Sequence, residues 1–263
     1  MAKTVVMIHG AFAGPWCWDD YKALFSAHGW TCHTPALRHH GGDPKADPDP
    51  DFANTSIADY TNDVAALVRT LETKPIILGH AVGAMVAQQV AARGLASGVV
   101  AINPNAPRGT LPETDDERAV ARSFMEMGAF WKAPLRVPFD LMAPYALNKL
   151  DDASQHAVFD RFGPESGRVM FEMFFWMFDD HRAAAIAFDK VTCPVLVVSG
   201  EDDRAVRHAV GREIAHKYGS NGTFHLARGH AHFLFLEPGW EGPARVCETW
   251  MSGVVGETEA SRR

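Results

Sequence analysis

Ile76-Ile77-Leu78-Gly79-His80-Ala81-Val82-Gly83 is the stretch on which the reading of this chain turns. A continuous apolar run, of the kind found in strands buried on both faces, enters Gly-x-x-x-Gly and passes directly into a helical pattern over Gly83–Arg93, with Gly94 as its stop. A chain that turns this sharply from strand to helix holds the corner residue in a tight, strained conformation. Side chains on either side of the corner would collide with neighbouring backbone, which is the mechanical reason for the two glycines. The helix that follows directs its N-terminal N–H groups toward any negative charge developing at the corner.

The same alternation extends in both directions. Thr4–Ile8 predicts a buried strand ending in His9-Gly10, followed by a helix over Trp16–His28 and a weaker strand over Thr31–Leu37. Residues 39–51, with Gly41-Gly42 and repeated Asp-Pro pairs, predict loop. Ser56-Ile57-Ala58-Asp59 is a capping box that opens a helix reaching about Leu71, and strands are predicted over Pro75–Leu78 and Gly98–Ile102. After a helical, Pro-punctuated middle, strand language returns at Cys193–Ser199. A helix near Val206–Tyr218, a strand near Thr223–Ala227 and a last helix from about Trp240 to Met251 follow. Alternating buried strands and helices imply an α/β fold, a mostly parallel sheet flanked by helices. The expected organisation is a core from residues 1–104 and 189–255, a helical cap from 105–188, and a polar tail from 256–263.

Composition narrows the function classes. At 263 residues the chain suits one large domain or one with an insertion. Its net charge of −7 argues against nucleic acid and anionic membrane as partners, because both select clustered Lys and Arg. No apolar run approaches the roughly 20 residues of a membrane span. Thr4–Ile8 is too short and too soon broken for a signal peptide, and the cytoplasm is the expected location. Cys17, Cys32, Cys193 and Cys247 lack paired spacing, so free thiols are expected rather than a disulfide framework or zinc site. His39-His40 beside Asp43, Asp47, Asp49 and Asp51 has no fixed ligand spacing and reads as a solvated loop, and no metal is expected.

Four positions carry chemistry. The corner at 81 has the setting of the nucleophile elbow G-x-S-x-G, with Ala81 where the serine stands. His9-Gly10-Ala11-Phe12 closes the first strand, and the N–H of Ala11 with that of Val82 forms a candidate oxyanion hole. Ser199-Gly200-Glu201-Asp202-Asp203 follows an apolar strand and offers a carboxylate to orient a histidine. The loop after Gly98–Ile102 offers only Asn103-Pro104-Asn105, so the later loop is favoured for the acid. Gly229-His230-Ala231-His232 offers the base, and either histidine is placed to serve.

Together these residues resemble the α/β-hydrolase family over nearly the whole chain, closest to small bacterial esterase-like members. Gly14-Pro15-Trp16-Cys17-Trp18 is similar to the esterase and hydroxynitrile-lyase branch. The resemblance implies Asp203, three residues after the strand-ending Gly200, as the acid. It implies His232, five residues before Glu237, as the base, with His230 as the alternative. It also implies that His80 is structural and that no cofactor is needed. A serine at 81 would make the chain an ester or lactone hydrolase with a Ser-His-Asp triad; alanine closes the acyl-enzyme route. Because every other member of the site is in place, the reading favoured is a Ser→Ala replacement that traps substrate. The alternatives are a native serine-less lyase, oxygenase or isomerase using His232 and Asp203, and a non-catalytic binding member of the fold.

Residues 105–188, about a third of the chain, contain 13 of its 27 aromatic residues and six of its ten methionines. A cap with that composition suits a small hydrophobic substrate, and Phe12, Trp16, Trp131 and Trp176 are the expected pocket walls. A homodimer is left open as a further partner.

Overall fold

Every residue of Ile76–His80 is buried, as the unbroken apolar run requires of a strand at the centre of a sheet. The computed structural model describes residues 3–260, and side chains through Gly256. The first half places β1 (Thr4–Ile8), α1 (Asp19–Ala27), β2 (Thr31–His33), α2 (Ile57–Arg69), β3 (Ile76–His80), α3 (Val82–Ala91) and β4 (Gly98–Ile102). The middle third holds α4 (Asp115–Glu126), β5 (Pro134–Leu135), α5 (Phe139–Tyr145), α6 (Asp152–Phe159), β6 (Glu165–Ser166) and α7 (Gly167–Phe174). Then come β7 (Val195–Gly200), α8 (His208–Lys217), β8 (Gly222–Ala227) and α9 (Glu241–Ala260).

β1, β2, β3, β4, β7 and β8 form one sheet in the order β2-β1-β3-β4-β7-β8, and every pairing in it is parallel. The chain runs outward from β1 to β2 and then crosses back to β3, so the order reverses between β1 and β3. Such a switch point leaves a crevice beyond the strand ends, because the two connections leave in opposite directions. Register pairs Ile8 with Gly79, His80 with Ile102, and Gly200 with Ala227. β1, β3 and β4 therefore end within a residue of one another, β7 and β8 run two residues further, and the loops that follow share one edge of the sheet.

α3 approaches the sheet more closely than ordinary side chains allow. A Cβ on Gly79 would stand 2.2 Å from the Gly83 carbonyl oxygen, and one on Gly83 would stand 2.4 Å from the carbonyl oxygens of both Ile8 and His9. α2 opens with the expected capping box, in which Ser56 and Asp59 satisfy each other's N–H groups.

Three local expectations change. The segment predicted as a helix from Trp16 begins as a 3-10 turn over Pro15–Trp18 and becomes α-helical only at Asp19. Residues 105–188 include the short antiparallel pair β5–β6 beside the expected helices. The last helix continues past Met251 through Ala260, so the expected tail from Gly256 is helical up to that point, and 261–263 lie outside the described residues. The four cysteines are free thiols. No helix among the described residues is long and apolar enough to cross a membrane.

The 39–51 loop is solvated along most of its length, as expected, but one side chain turns inward. His40 is buried, with Nε2 3.2 Å from Glu165 Oε2, and Glu165 Oε1 accepts from the Tyr60 hydroxyl at 2.5 Å. Burial opposes charge on His40, but Glu165 and the Arg38 carbonyl outweigh it and raise its pKa. His9 beside it donates from Nδ1 to the Gly10 carbonyl and accepts at Nε2 from the Leu37 N–H. Burial, with His40 adding to it, pushes the His9 pKa down to about 3.

Two outcomes follow. Gly83→Ala should destabilise the protein by roughly 1–3 kcal/mol, since backbone and not a movable side chain must give way. Gly253→Ala in α9, where nothing lies within 4 Å, should stabilise it by about 0.5–1 kcal/mol. Thermal melts of the two variants that coincide with the parent would contradict this. For His9, the unfolded chain takes up a proton near pH 6.5 that the folded chain refuses until about 3. Stability should therefore fall with acidification across that window, by up to roughly 1.4 kcal/mol per pH unit from this residue. His40 acts in the opposite sense: its contribution is complete below pH 6.5 and is lost as pH rises through its raised value. Urea unfolding of His9→Asn between pH 6.5 and 5 should show a shallower loss than the parent; parallel curves would refute it.

Candidate active site

Ala81 sits at φ 50° and ψ −117° between the last residue of β3 and the first of α3, so the chain passes from strand to helix within one residue. Its N–H donates to the Ile102 carbonyl at 3.1 Å, which ties the corner to the end of β4. Val82 is the first residue of α3, so its N–H belongs to the unsatisfied first turn. Ala11 follows the end of β1 and is succeeded by Phe12 at φ 64°, a second strained position on the same edge. Among the described residues no protein acceptor meets the N–H of Ala11 or of Val82.

His232 Nδ1 donates to Asp203 Oδ2 at 2.8 Å, and both residues are buried. The other carboxylate oxygen of Asp203 accepts from the N–H groups of Ala205 and Val206, each at 2.9 Å. Asp203 is thus fixed from both sides, and His232 Nε2 is left without a protein partner among the described residues. His230, the alternative base, lies elsewhere: its Nδ1 is 3.2 Å from Glu237 Oε2, and the same oxygen accepts from the Ala231 N–H at 2.8 Å. Glu237 therefore braces the histidine loop, and the two histidines of the motif divide between two carboxylates.

His80 donates from Nε2 to the His232 carbonyl at 3.0 Å. Complete burial, with His232 adding to it, holds its pKa well below the ordinary range. It is a neutral strut between the corner and the histidine loop. A residue not singled out from sequence has a larger share in this alignment. Asn103, at φ 41° just past β4, donates from Nδ2 to the carbonyls of Ala231 at 2.8 Å and His232 at 2.7 Å. Its Oδ1 accepts from the Gly200 N–H at 2.8 Å. One carboxamide links the end of β4, the acid loop and the histidine loop. The sequence signal is an Asn at a strand end, a residue type enriched at positive φ.

Ala81, Ala11 and His232 line one cavity of about 80 Å³. None of the residues around it is Lys, Arg, Asp or Glu; much of its wall comes from Val120, Phe124, Leu141, Met170 and Phe174 of the middle third. Of the four expected wall residues, Phe12 lines this cavity and three tryptophans do not. Trp16 lines a separate cavity beside His39 and His40, under the Arg161 guanidinium 4.1 Å from its ring. Trp131 is 43% exposed and packs on Phe130 and Phe171. Trp176 donates from its indole to the Thr110 carbonyl at 3.2 Å and lines a neighbouring cavity of about 50 Å³. An aromatic count locates a wall region but not a facing direction, and the apolar side chains that reach position 81 are mostly Leu, Val, Met and Phe.

The chain matches solved structures over nearly its full length. An extracellular α/β-hydrolase from a Paenibacillus species, described as sharing structural and functional homology with tobacco salicylic acid binding protein 2, aligns with a TM-score of 0.69 at 20% identity. The alignment covers 93% of this chain and 97% of that one. A thermophilic esterase from Thermogutta terrifontis aligns at 0.68 and 17% identity, covering 95% and 90%. A monoacylglycerol lipase from Paleococcus ferrophilus aligns at 0.65 and 19%, covering 95% and 94%. At these identities the likeness is one of fold. No curated protein sequence matches the chain. A family model described as "Alpha/beta hydrolase family" matches residues 5–248, and the chain belongs to that family.

Proposed function

We propose that the working protein is a hydrolase of hydrophobic carboxylic esters or lactones with serine at position 81, and that the chain with Ala81 binds such substrates without turning them over. One observation carries this reading: a non-glycine residue is held at φ 50° and ψ −117° on the wall shared with His232. Such a conformation costs on the order of 1–3 kcal/mol and persists where a reacting group must be presented. A methyl group gains nothing from it. An acyl-transfer enzyme uses the corner twice, to present its nucleophile and to place the Val82 N–H, whereas a serine-less catalyst would use only the second.

In the mechanism, His232 Nε2 takes the proton of the serine hydroxyl as its oxygen attacks the acyl carbon. Asp203 holds the imidazole with Nδ1 protonated and offsets the positive charge that forms on the ring. The N–H groups of Ala11 and Val82 donate to the oxyanion. The proton then passes from His232 to the leaving alcohol, and water, deprotonated by the same nitrogen, releases the acid. The cavity wall, without an ionised lysine, arginine or carboxylate, supports a neutral apolar substrate. The four free thiols are in keeping with work in the cytoplasm.

Ala81→Ser should raise kcat/KM on neutral aryl esters or lactones by roughly 10³- to 10⁶-fold over the parent chain. His232→Ala in that background should return most of the gain. A serine variant no better than the parent would overturn the hydrolase reading. A larger gain on carboxylate-bearing esters than on neutral ones would overturn the substrate class.

A further inference from the structure

The apolar cavity does not end at its own wall. Asn105, Met173, Phe174, Ala205 and Val206 also line the second cavity, of about 50 Å³, so the two adjoin across these residues. The second one differs in chemistry. Thr110, Glu117, Trp176 and Arg207 contribute to it. Arg207 Nη1 is 2.8 Å from Glu117 Oε2 and Nη2 is 3.1 Å from Glu113 Oε1, so its charge is already compensated. An ionic ligand group would therefore have to compete with a bond already made.

Among the described residues, three buried polar atoms of these linings have no partner in the protein: His80 Nδ1, which lies against Gly10, and, in the lining of the second cavity, Asn105 Oδ1 and Arg207 Nε. Asn105 stands beside the reacting position, its N–H 3.5 Å from the Ala81 carbonyl. A buried acceptor or donor left unpaired costs on the order of 1–3 kcal/mol, so such atoms are characteristically met by water or by a ligand. In the second cavity Asn105 Oδ1 accepts and Arg207 Nε donates. A group that both donates and accepts, and carries no charge, answers both.

From this we infer that Asn105 is a specificity-determining residue, and that the substrate is an ester or lactone with an apolar body and an uncharged hydroxyl, or a comparable N–H-bearing group, close to its carbonyl. The apolar body fills the cavity against Phe124, Leu141 and Met170, and the hydroxyl donates to Asn105 Oδ1 at the boundary with the second cavity. Arg207 supplies a donor on the far side of that boundary. This deepens the hydrolase reading and rests on it. A site that presents an unpaired acceptor discriminates against the analogue lacking the donor, because binding that analogue seals the acceptor away from water with nothing to meet it.

Because the Ala81 chain is expected to leave esters intact, selectivity can be read as binding. Calorimetric titration of the parent with methyl 3-phenylpropanoate and with its 2-hydroxy and 3-hydroxy derivatives should give at least one hydroxylated ester bound about tenfold tighter than the unsubstituted one, as a single net hydrogen bond implies. In Asn105→Leu that preference should shrink to about twofold or less, while the unsubstituted ester binds as well as to the parent or better. Retained binding of the unsubstituted ester also shows that the variant is folded. Equal binding of all three esters by the parent, or a preference that survives Asn105→Leu, overturns the role of Asn105 and leaves the hydrolase reading standing. Failure of every ester to bind the parent overturns both.

Discussion

The close approach of α3 to the sheet is the constraint from which the rest of the site follows. Gly79 and Gly83 let a helix begin one residue after a strand ends, with backbone against backbone where a Cβ would stand 2.2–2.4 Å from a carbonyl atom. That contact sets the left-handed conformation of Ala81, places the Val82 N–H at an open helix end, and brings the end of β1 alongside. The strained corner and the candidate oxyanion donors are therefore one feature seen from two sides. Neither survives if α3 moves outward by the width of a methyl group.

Alignment of the acid and the base is a separate matter, and it is carried by hydrogen bonds to main chain. Asn103, Glu237 and the N–H groups of Ala205 and Val206 hold the loops that carry His232 and Asp203. Each bond contributes only about 0.5–1.5 kcal/mol net, but an unmet partner in this buried setting costs more than the bond returns. The set is consequently cooperative: the loops have few alternative positions in which all these groups are paired. Neutral His80 joins the same set without adding a charge next to the imidazole that must become positive.

The wall above the corner is built on a different principle. Packing of Leu, Val, Met and Phe excludes water and selects by shape, while Asn105 stands at the edge with an unmet acceptor. Apolar lining by itself discriminates weakly between similar ligands; a single buried polar atom within it discriminates sharply. On the outside, the buried His40–Glu165 contact ties the loop after β2 to the middle third, joined at the surface by Lys45 with Asp160 and by Arg136 with the carbonyls of Pro44 and Ala46.

The alternation of strands and helices along the chain, the glycine corner, the acidic loop after β7 and the histidine loop after β8 were all legible in the sequence. Each is written in local terms: runs of buried apolar residues, glycines where backbone must touch backbone, and chemistry at strand ends. The sequence by itself thus determined the α/β class, the position of Ala81, and Asp203 and His232 as candidates. Only the tertiary structure decided the rest. It divided His232 and His230 between Asp203 and Glu237, made Asn103 the brace of three loops, and turned all three expected tryptophans away from the cavity. Those choices depend on which distant segments meet and which way a side chain faces on a helix or loop without regular period. No pattern along the chain encodes that direction; it emerges when the loops that follow the strands compete for the same edge of the sheet.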